Sequence, residues 1–504
     1  MNLQTMNTEE YKNVLVGDGL ADEVNEVTAR ADAEVVREIE SEVGPFADLS
    51  VMGDGSNRLM GLNDIALARY YYYCERGGLV LNKGEADYFR FNGRFWEPLS
   101  RVKIWEILRV FFQGVGKGRG WVAVHRRLTL AWLRGAETYL SAVAERVGFF
   151  ERSPRSERFP VVFRNGTVVV SEDGVVWEPA VFRRADRVRN LIDVDFEEGV
   201  ECPEFIKGIR GMFDEKSCDA DVEVYLLALG QCLIGFNLRS LVLILEGEAN
   251  SGKSSLLKIV QLLLGKANVA NLRTKYLGDR FELIDCIAKL ALMVADASEG
   301  TLHYDGADVV KALVGGDVLT AEAKQGNDRV NLVGYYPVLI STNCDLRVRD
   351  QGDADAWRRR LVRIPCCIPA GRKEERFWAE KIIEKEGAGI VYQSLQRVAK
   401  FLVDPRAFDL SPVQADRVEA LLNLSSPLIS FIAENIGVAE GGQVLRSEFK
   451  ERYGSYLRDH GHTLPAHWVA AVAKYLTKNF GVKESGSVGA ERKAKGWRGI
   501  AWID

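Results

Sequence analysis

The densest chemistry in this sequence lies in Gly247, Glu248, Ala249, Asn250, Ser251, Gly252, Lys253, Ser254 and Ser255. They fit the pattern Gly-x-x-x-x-Gly-Lys-Ser/Thr, with the neighbours that pattern needs. The run LVLILE (241–246) ahead of it reads as a buried strand, and LLKIVQLLLG behind it reads as a helix. Glycines let the backbone curl so that its N–H groups face phosphate, and the helix adds the positive end of its dipole. Lys253 has the length to reach β- and γ-phosphates, and Ser254 offers a hydroxyl to a magnesium ion. The spacing therefore predicts a site for ATP and Mg²⁺.

Acids follow in KLALMVADASEG (289–300). The apolar run predicts a second buried strand with Asp296 at its C-terminal end, where open α/β sheets bind ligands. Asp296 is the candidate metal-side acid, and Glu299, a short turn further on, the candidate general base. A third strand, YYPVLISTN (335–343), ends in Asn343, whose amide could orient a water against a γ-phosphate. Then comes DADAWRRRLVRIPC (353–366), with Arg358, Arg359 and Arg360 in a row before another strand-like run. Three arginines exceed what one subunit needs beside its own nucleotide. A ring uses such a residue on its neighbour's γ-phosphate, where it is worth roughly 10³–10⁵ in rate.

Between the second and third strands, VLTAEAK and DRVNLVG flank Gly326-Asn327, a hairpin signal. Lys324, Gln325, Asn327 and Arg329 sit at its tip and flanks as candidate DNA-backbone contacts.

These parts need a scaffold. Short apolar strands alternating with helices from about 240 to 370 predict a parallel sheet. Upstream, NDIALARYYYYCERGG reads as a helix. DYFRFNGRFWEPL reads as a hairpin turning at Asn92-Gly93, and VVFRNGTVVVSEDGVVWEP repeats the pattern. Residues 1–60 are polar and acid-rich, with one possible amphipathic helix, and SVMGDGSNRLMG reads as a linker. After Pro427 come helix-like segments and a hairpin-like end, ERKAKGWRGIAWID.

The net charge of −5 over 504 residues argues against a histone-like coat on nucleic acid. It permits basic groups confined to a channel, because the local field decides such binding. None of the eight cysteines forms a Cys-x-x-Cys pair, so reduced thiols are expected and a zinc site is not. No signal peptide or membrane span is readable, which predicts a cytoplasmic protein without a membrane partner.

GEANSGKSS, LALMVAD, KALVGGD, VLISTN and DADAWRRRLVRIP, in that order, resemble the superfamily-three helicases, AAA+-related ring motors of small viruses, phages and plasmids. The nearest branch is the helicase half of phage and plasmid primase–helicases, which also includes the poxvirus replication NTPase. FRNGTVVVSEDGVVWEP and the following residues to about 210 are similar to the domain that precedes the motor in that branch. The last eighty or so residues resemble its winged-helix-like piece.

The resemblance implies an α/β chain. A P-loop AAA+-like parallel-sheet ATPase core (201–410) would follow an α+β N-terminal domain (61–200) and precede a winged-helix-like domain (425–504). It implies Mg-ATP on Lys253 and Ser254, Asp296 on the metal, Asn343 as γ-phosphate sensor, and Arg360, with Arg359 as alternative, as the finger acting in trans. It implies a homo-hexamer that unwinds DNA, moving 3′ to 5′ on a single strand or fork, in replication of a phage, plasmid or other mobile element. The alternative is an AAA+ initiator or remodeller that hydrolyses ATP without processive unwinding.

Three departures stand out. Ala297 follows Asp296 where many relatives pair two acids. Glu322 stands where several carry a basic residue. The long upstream primase region is not represented in residues 1–60, so a separate primase or polymerase is the expected partner. From 441 on there are eleven Lys or Arg against six Asp or Glu, with Trp468, Trp497 and Trp502 nearby. That composition fits either duplex binding or a packing domain with a solvated basic face.

Overall fold

Five runs of β-branched and aliphatic residues build the centre of the molecule. In the computed structural model they are β11 (Val242–Glu246), β12 (Val269–Asn271), β13 (Ala291–Ala297), β16 (Val338–Thr342) and β17 (Leu361–Pro365), numbered along the whole chain. The described residues are 33–51, 53, 57–83, 85, 87–118, 128–153, 155–273, 282–302, 306–322, 329–348, 354–367, 376–459, 463–488 and 494–503.

The central sheet is parallel throughout, in the order β12-β13-β16-β11-β17. Val242, Leu243, Ile244 and Leu245 are all buried, as expected for a parallel strand covered on both faces. One face packs against the helix Cys218–Ile234, which is apolar nearly all round and correspondingly buried, and against Lys253–Leu264 and Trp378–Val403. The other face is filled by Val310, Leu313, Trp357, Val418 and their neighbours.

The first half of the chain divides in two. A helix at 33–43, β1 (Ala47–Val51), β2 (Asn57–Leu62), the helix Asp64–Cys74 and the strands β3 (Leu79–Asn82), β4 (Asp87–Phe91), β5 (Trp96–Leu99) and β6 (Glu145–Arg146) surround one core with the helices Arg101–Gly118 and Leu130–Ala144. β4 and β5 form the hairpin expected from Asn92-Gly93. The stretch that reads as a linker, 50–61, instead has its two ends, Ser50–Val51 and Asn57–Gly61, in the paired strands β1 and β2.

β7 (Arg158–Phe163), β8 (Gly166–Ser171), β9 (Gly174–Pro179) and β10 (Leu191–Ile192) form a separate sheet. Its Phe159, Val161, Phe163 and Val168 belong to the same core as the central sheet. A boundary at 200 therefore cuts through a packed unit. Composition alone does not reveal which hairpin carries its apolar face to the later sheet.

β14 (Leu319–Glu322) and β15 (Arg329–Leu332) pair antiparallel, as the Gly-Asn signal predicts. At the C-terminal end, the helix Pro427–Asn435, β18 (Ile436–Leu445), the helices Arg446–Asp459 and Trp468–Phe480, β19 (Glu484–Val488) and β20 (Ala494–Trp502) follow in order, with the sheet arranged β18-β20-β19. Trp497 is fully buried and Trp468 is nearly so, stacked 5.8 Å from Phe449. Both are core residues, which removes them as candidate DNA contacts. Trp502 lies under Arg452, whose guanidinium sits 4.3 Å from the ring. No helix among the described residues is long and apolar enough to cross a membrane.

Candidate active site

The sheet order explains how residues far apart in sequence meet. β11 lies between β16 and β17, with β13 one strand further out. The C-terminal ends of β11, β13 and β16 therefore open onto one edge, and they carry Gly247, Asp296 and Asn343 respectively.

The loop after Glu246 is shaped by close backbone approach. Gly247 has φ +148°, and a Cβ there would sit 2.1 Å from the carbonyl oxygen of Cys366. Gly252 has φ +97°, and its Cβ would meet Met212 Sδ at 2.6 Å. Asn250 is left-handed too, at φ +65°. Ser251 is buried, with its N–H directed at the Glu248 carbonyl at 3.4 Å. Glu248, Ala249 and Asn250 form the exposed outer rim.

Lys253 opens the helix Lys253–Leu264. Its ammonium turns back into the loop and donates to the carbonyls of Gly247 (2.7 Å) and Glu248 (2.6 Å) and to Ser251 Oγ (3.1 Å). Burial lowers its pKa from the ordinary lysine value, with Cys366 and Asp296 acting the other way. The helix has no side-chain cap at Gly252, so the first-turn N–H groups at Lys253, Ser254 and Ser255 have no intrahelical partner. Ser254 is exposed beside them and Ser255 is half-buried. An uncapped helix start, a lysine with only neutral acceptors and an exposed hydroxyl are complementary to a polyphosphate and its cation.

Asp296 stands on a bulge. The pairing of β13 with β16 slips between Val294 and Ala297, and Asp296 takes φ +51°, with its N–H bonded to Ser341 Oγ at 3.2 Å. Such a conformation stores on the order of 1 kcal/mol or more outside glycine, although aspartate tolerates it better than most. The bulge aims an exposed carboxylate toward the loop, close enough to act on the Lys253 charge.

Thr342, which carries no signal in the sequence, joins the three strand ends. Its carbonyl accepts the Gly247 N–H (3.3 Å), and its hydroxyl donates to the Ala297 carbonyl (2.9 Å). Asn343 follows directly, exposed at the same edge. Glu299 forms an ion pair with Arg347 at 2.5 Å, both side chains more than half exposed.

Glu246 and Arg363 are equally silent in the sequence. Arg363 is buried, pairs with Glu246 at 2.6 Å, and donates to the Arg417 carbonyl at 2.7 Å. Arg417 bonds in turn to Asp221 (3.0 Å), Asp214 (2.8 Å) and Ser217 (2.6 Å). Lone charges in a sequence do not announce pairings of this range.

The three arginines are not at this edge. Arg360 ends where β17 begins, and its carbonyl accepts the N–H of Val242, the first residue of β11. Five residues of parallel strand separate that point from Glu246, a span of about 16 Å. That exceeds an arginine side chain. Arg358 is tied to Glu419 and Asp355. Arg360 packs over Gly315, donates to the Ala356 carbonyl at 3.0 Å, and keeps a buried Nε without a partner. Arg359 is exposed, and its Nε donates to the Asp355 carbonyl at 3.3 Å. Lys324, Gln325 and Asn327 lie outside the described residues, and Arg329 is placed only as the start of β15.

Residues 245–360 match a family described only as a family of unknown function (DUF5906), a stretch well short of half the chain. No curated protein matches. Among solved structures, the chain is similar to the apo C-terminal region of NrS-1. One such structure is 15% identical over 86% of this chain and 98% of that one, with a TM-score of 0.41. A second, spanning NrS-1 residues 305–718, is 14% identical over 87% and 100%, with a TM-score of 0.45.

Proposed function

We propose that this chain is an ATP-hydrolysing ring motor of the superfamily-three helicase type, acting on DNA during replication of a phage, plasmid or other mobile element. One observation carries the reading: the phosphate loop and the arginine cluster occupy opposite ends of the same parallel sheet. A nucleotide held by Gly247–Ser255 lies out of reach of its own subunit's Arg358–Arg360, whereas a neighbour docked head-to-tail offers that edge. Head-to-tail contacts that close make rings.

In this reading Lys253 and the first-turn N–H groups hold the β- and γ-phosphates, and Ser254 and Asp296 hold Mg²⁺. Asn343 orients the attacking water. Bound ATP supplies the phosphoanhydride whose cleavage drives the motor. Glu299 serves as base only when released from Arg347. Arg359 is the better finger on exposure, because Arg360 is committed to its own subunit. The strand order and the C-terminal helix–strand–helix–helix–strand–strand sequence suit an AAA+ core and a winged-helix domain.

The test is ATP hydrolysis with and without single-stranded DNA, alongside strand displacement on a forked duplex. The reading expects DNA-stimulated hydrolysis and displacement, both lost in Lys253→Ala. DNA-stimulated hydrolysis without displacement would favour an initiator or remodeller. Full turnover in Lys253→Ala would dismiss the site altogether.

A further inference from the structure

A second cleft lies at the other end of the central sheet, where its strands begin. Its walls are residues 150–152, Arg187, Arg189 and Asn190 from the first half of the chain, the turn at 234–236, Lys289-Leu290 ahead of β13, and 333–336 between β15 and β16. It encloses about 120 Å³, room for several waters or one tetrahedral oxyanion.

The lining is cationic: Arg152, Arg187, Arg189 and Lys289 against the single acid Glu151. Arg189 is neutralised by Glu85 and rests on the Phe150 ring at 5.1 Å. The other three have no carboxylate partner among the described residues. Arg152 donates to the carbonyls of Ile234 and Pro160, Lys289 to that of Ala267, and Arg187 to that of Phe149 while stacking on its ring at 4.8 Å. The nearby Asp186 pairs with Arg158 through Oδ1 at 2.6 Å, while its Oδ2 is buried without a hydrogen-bond partner. Burial, reinforced by the like charge of Arg189 and only partly opposed by Asp186, lowers the Arg152 pKa to about 10. Crowded, partly desolvated cations held by neutral acceptors call for an anion. A guanidinium fork suits a phosphate group above others.

The position suggests where that phosphate comes from. β15, the second strand of the β14–β15 pair, runs directly into Val333–Tyr336, one wall of the cleft. Under the DNA reading above, a polynucleotide lying along the β14–β15 pair would bring phosphates to this end of it.

We propose that this cleft is a phosphate-binding site, separate from the nucleotide loop, that takes a phosphodiester of a nucleic-acid strand at this end of the β14–β15 pair. The choice of a strand over free phosphate rests on the DNA reading above; the phosphate chemistry does not.

Full-length protein, Arg187→Glu and Arg152→Met are titrated with a fluorescent dT oligonucleotide across a salt series, and their melting is followed with and without millimolar inorganic phosphate. Arg187 is exposed, so its variant should keep the parent melting temperature. The strand form expects oligonucleotide affinity to fall on the order of tenfold in Arg187→Glu. The slope of log affinity against log salt should become shallower by about 0.7 for each phosphate no longer neutralised. Phosphate that stabilises the parent but not the variants, with unchanged oligonucleotide titrations, keeps the site and reassigns it to free phosphate. Unchanged titrations and unchanged phosphate response in a folded Arg187→Glu overturn the proposal, whether or not Arg152→Met folds. Turnover in Lys253→Ala judges the motor reading separately.

Discussion

If the nucleotide is shared between subunits, two dead variants should restore each other. Lys253→Ala removes the loop's ammonium; Arg359→Ala removes the exposed guanidinium about 16 Å away along β11 and β17. Alone, Arg359→Ala should lose roughly 10³–10⁵ in turnover, the range for a finger supplied in trans, while Lys253→Ala should show none. In an equimolar random mixture, a seam works only when its loop comes from an Arg359→Ala subunit and its finger from a Lys253→Ala subunit. Each condition holds at half the positions, so about one seam in four is complete in a head-to-tail ring. Steady-state phosphate release should therefore recover to about a quarter of the parent rate if seams act independently, and to less if they fire in concert. The curve of rate against mixing ratio should be symmetric and peak at equal parts. A flat line at the level of the single variants refutes a shared site for this pair. Repeating the mixture with Arg360→Ala then asks whether the half-buried neighbour carries the role.

Other expectations follow from the same geometry. Asp296→Asn should preserve the fold, because asparagine accepts a left-handed backbone, yet lower turnover by about 10²-fold or more in a magnesium-dependent assay. Wild-type turnover would remove Asp296 from the metal. Gly247→Ala places a methyl 2.1 Å from the Cys366 oxygen, so equilibrium binding of an ATP analogue should weaken at least on the order of tenfold; unaltered binding would show that the loop has room to move. Arg363→Ala leaves Glu246 largely buried without its partner and should cost about 3 kcal/mol in urea unfolding, with Arg363→Met less harmful than a loss of charge alone would suggest.

The parts legible in the sequence are those specified over short range. Five successive aliphatics (Leu241–Leu245) before a glycine-rich turn announce β11, and Asn92-Gly93 announces its hairpin, because strand burial and turn geometry act on adjacent residues. Asp296 is legible for the same reason, at the end of an apolar run. What escapes depends on distant partners. Thr342 looks like any strand-end threonine until its carbonyl meets Gly247 and its hydroxyl meets Ala297. Nothing in the sequence marks Arg363 until Glu246 lies beside it. Trp468 and Trp497 suggest contacts for DNA because composition does not distinguish an inward face from an outward one, and here both face in. The far placement of the three arginines is likewise invisible, since it follows from strand order and not from spacing.

The helix Pro412–Leu424 holds both ends of the sheet. Through Arg417 it grips the buried Asp221 and the Arg363 pair behind the phosphate loop, and through Glu419 it holds Arg358 in the arginine cluster. In the proposed ring, a tilt of this one rod would displace what a subunit feels from its own ligand together with what it extends to the next. If the proposed ring forms, each firing would carry a built-in messenger to its successor.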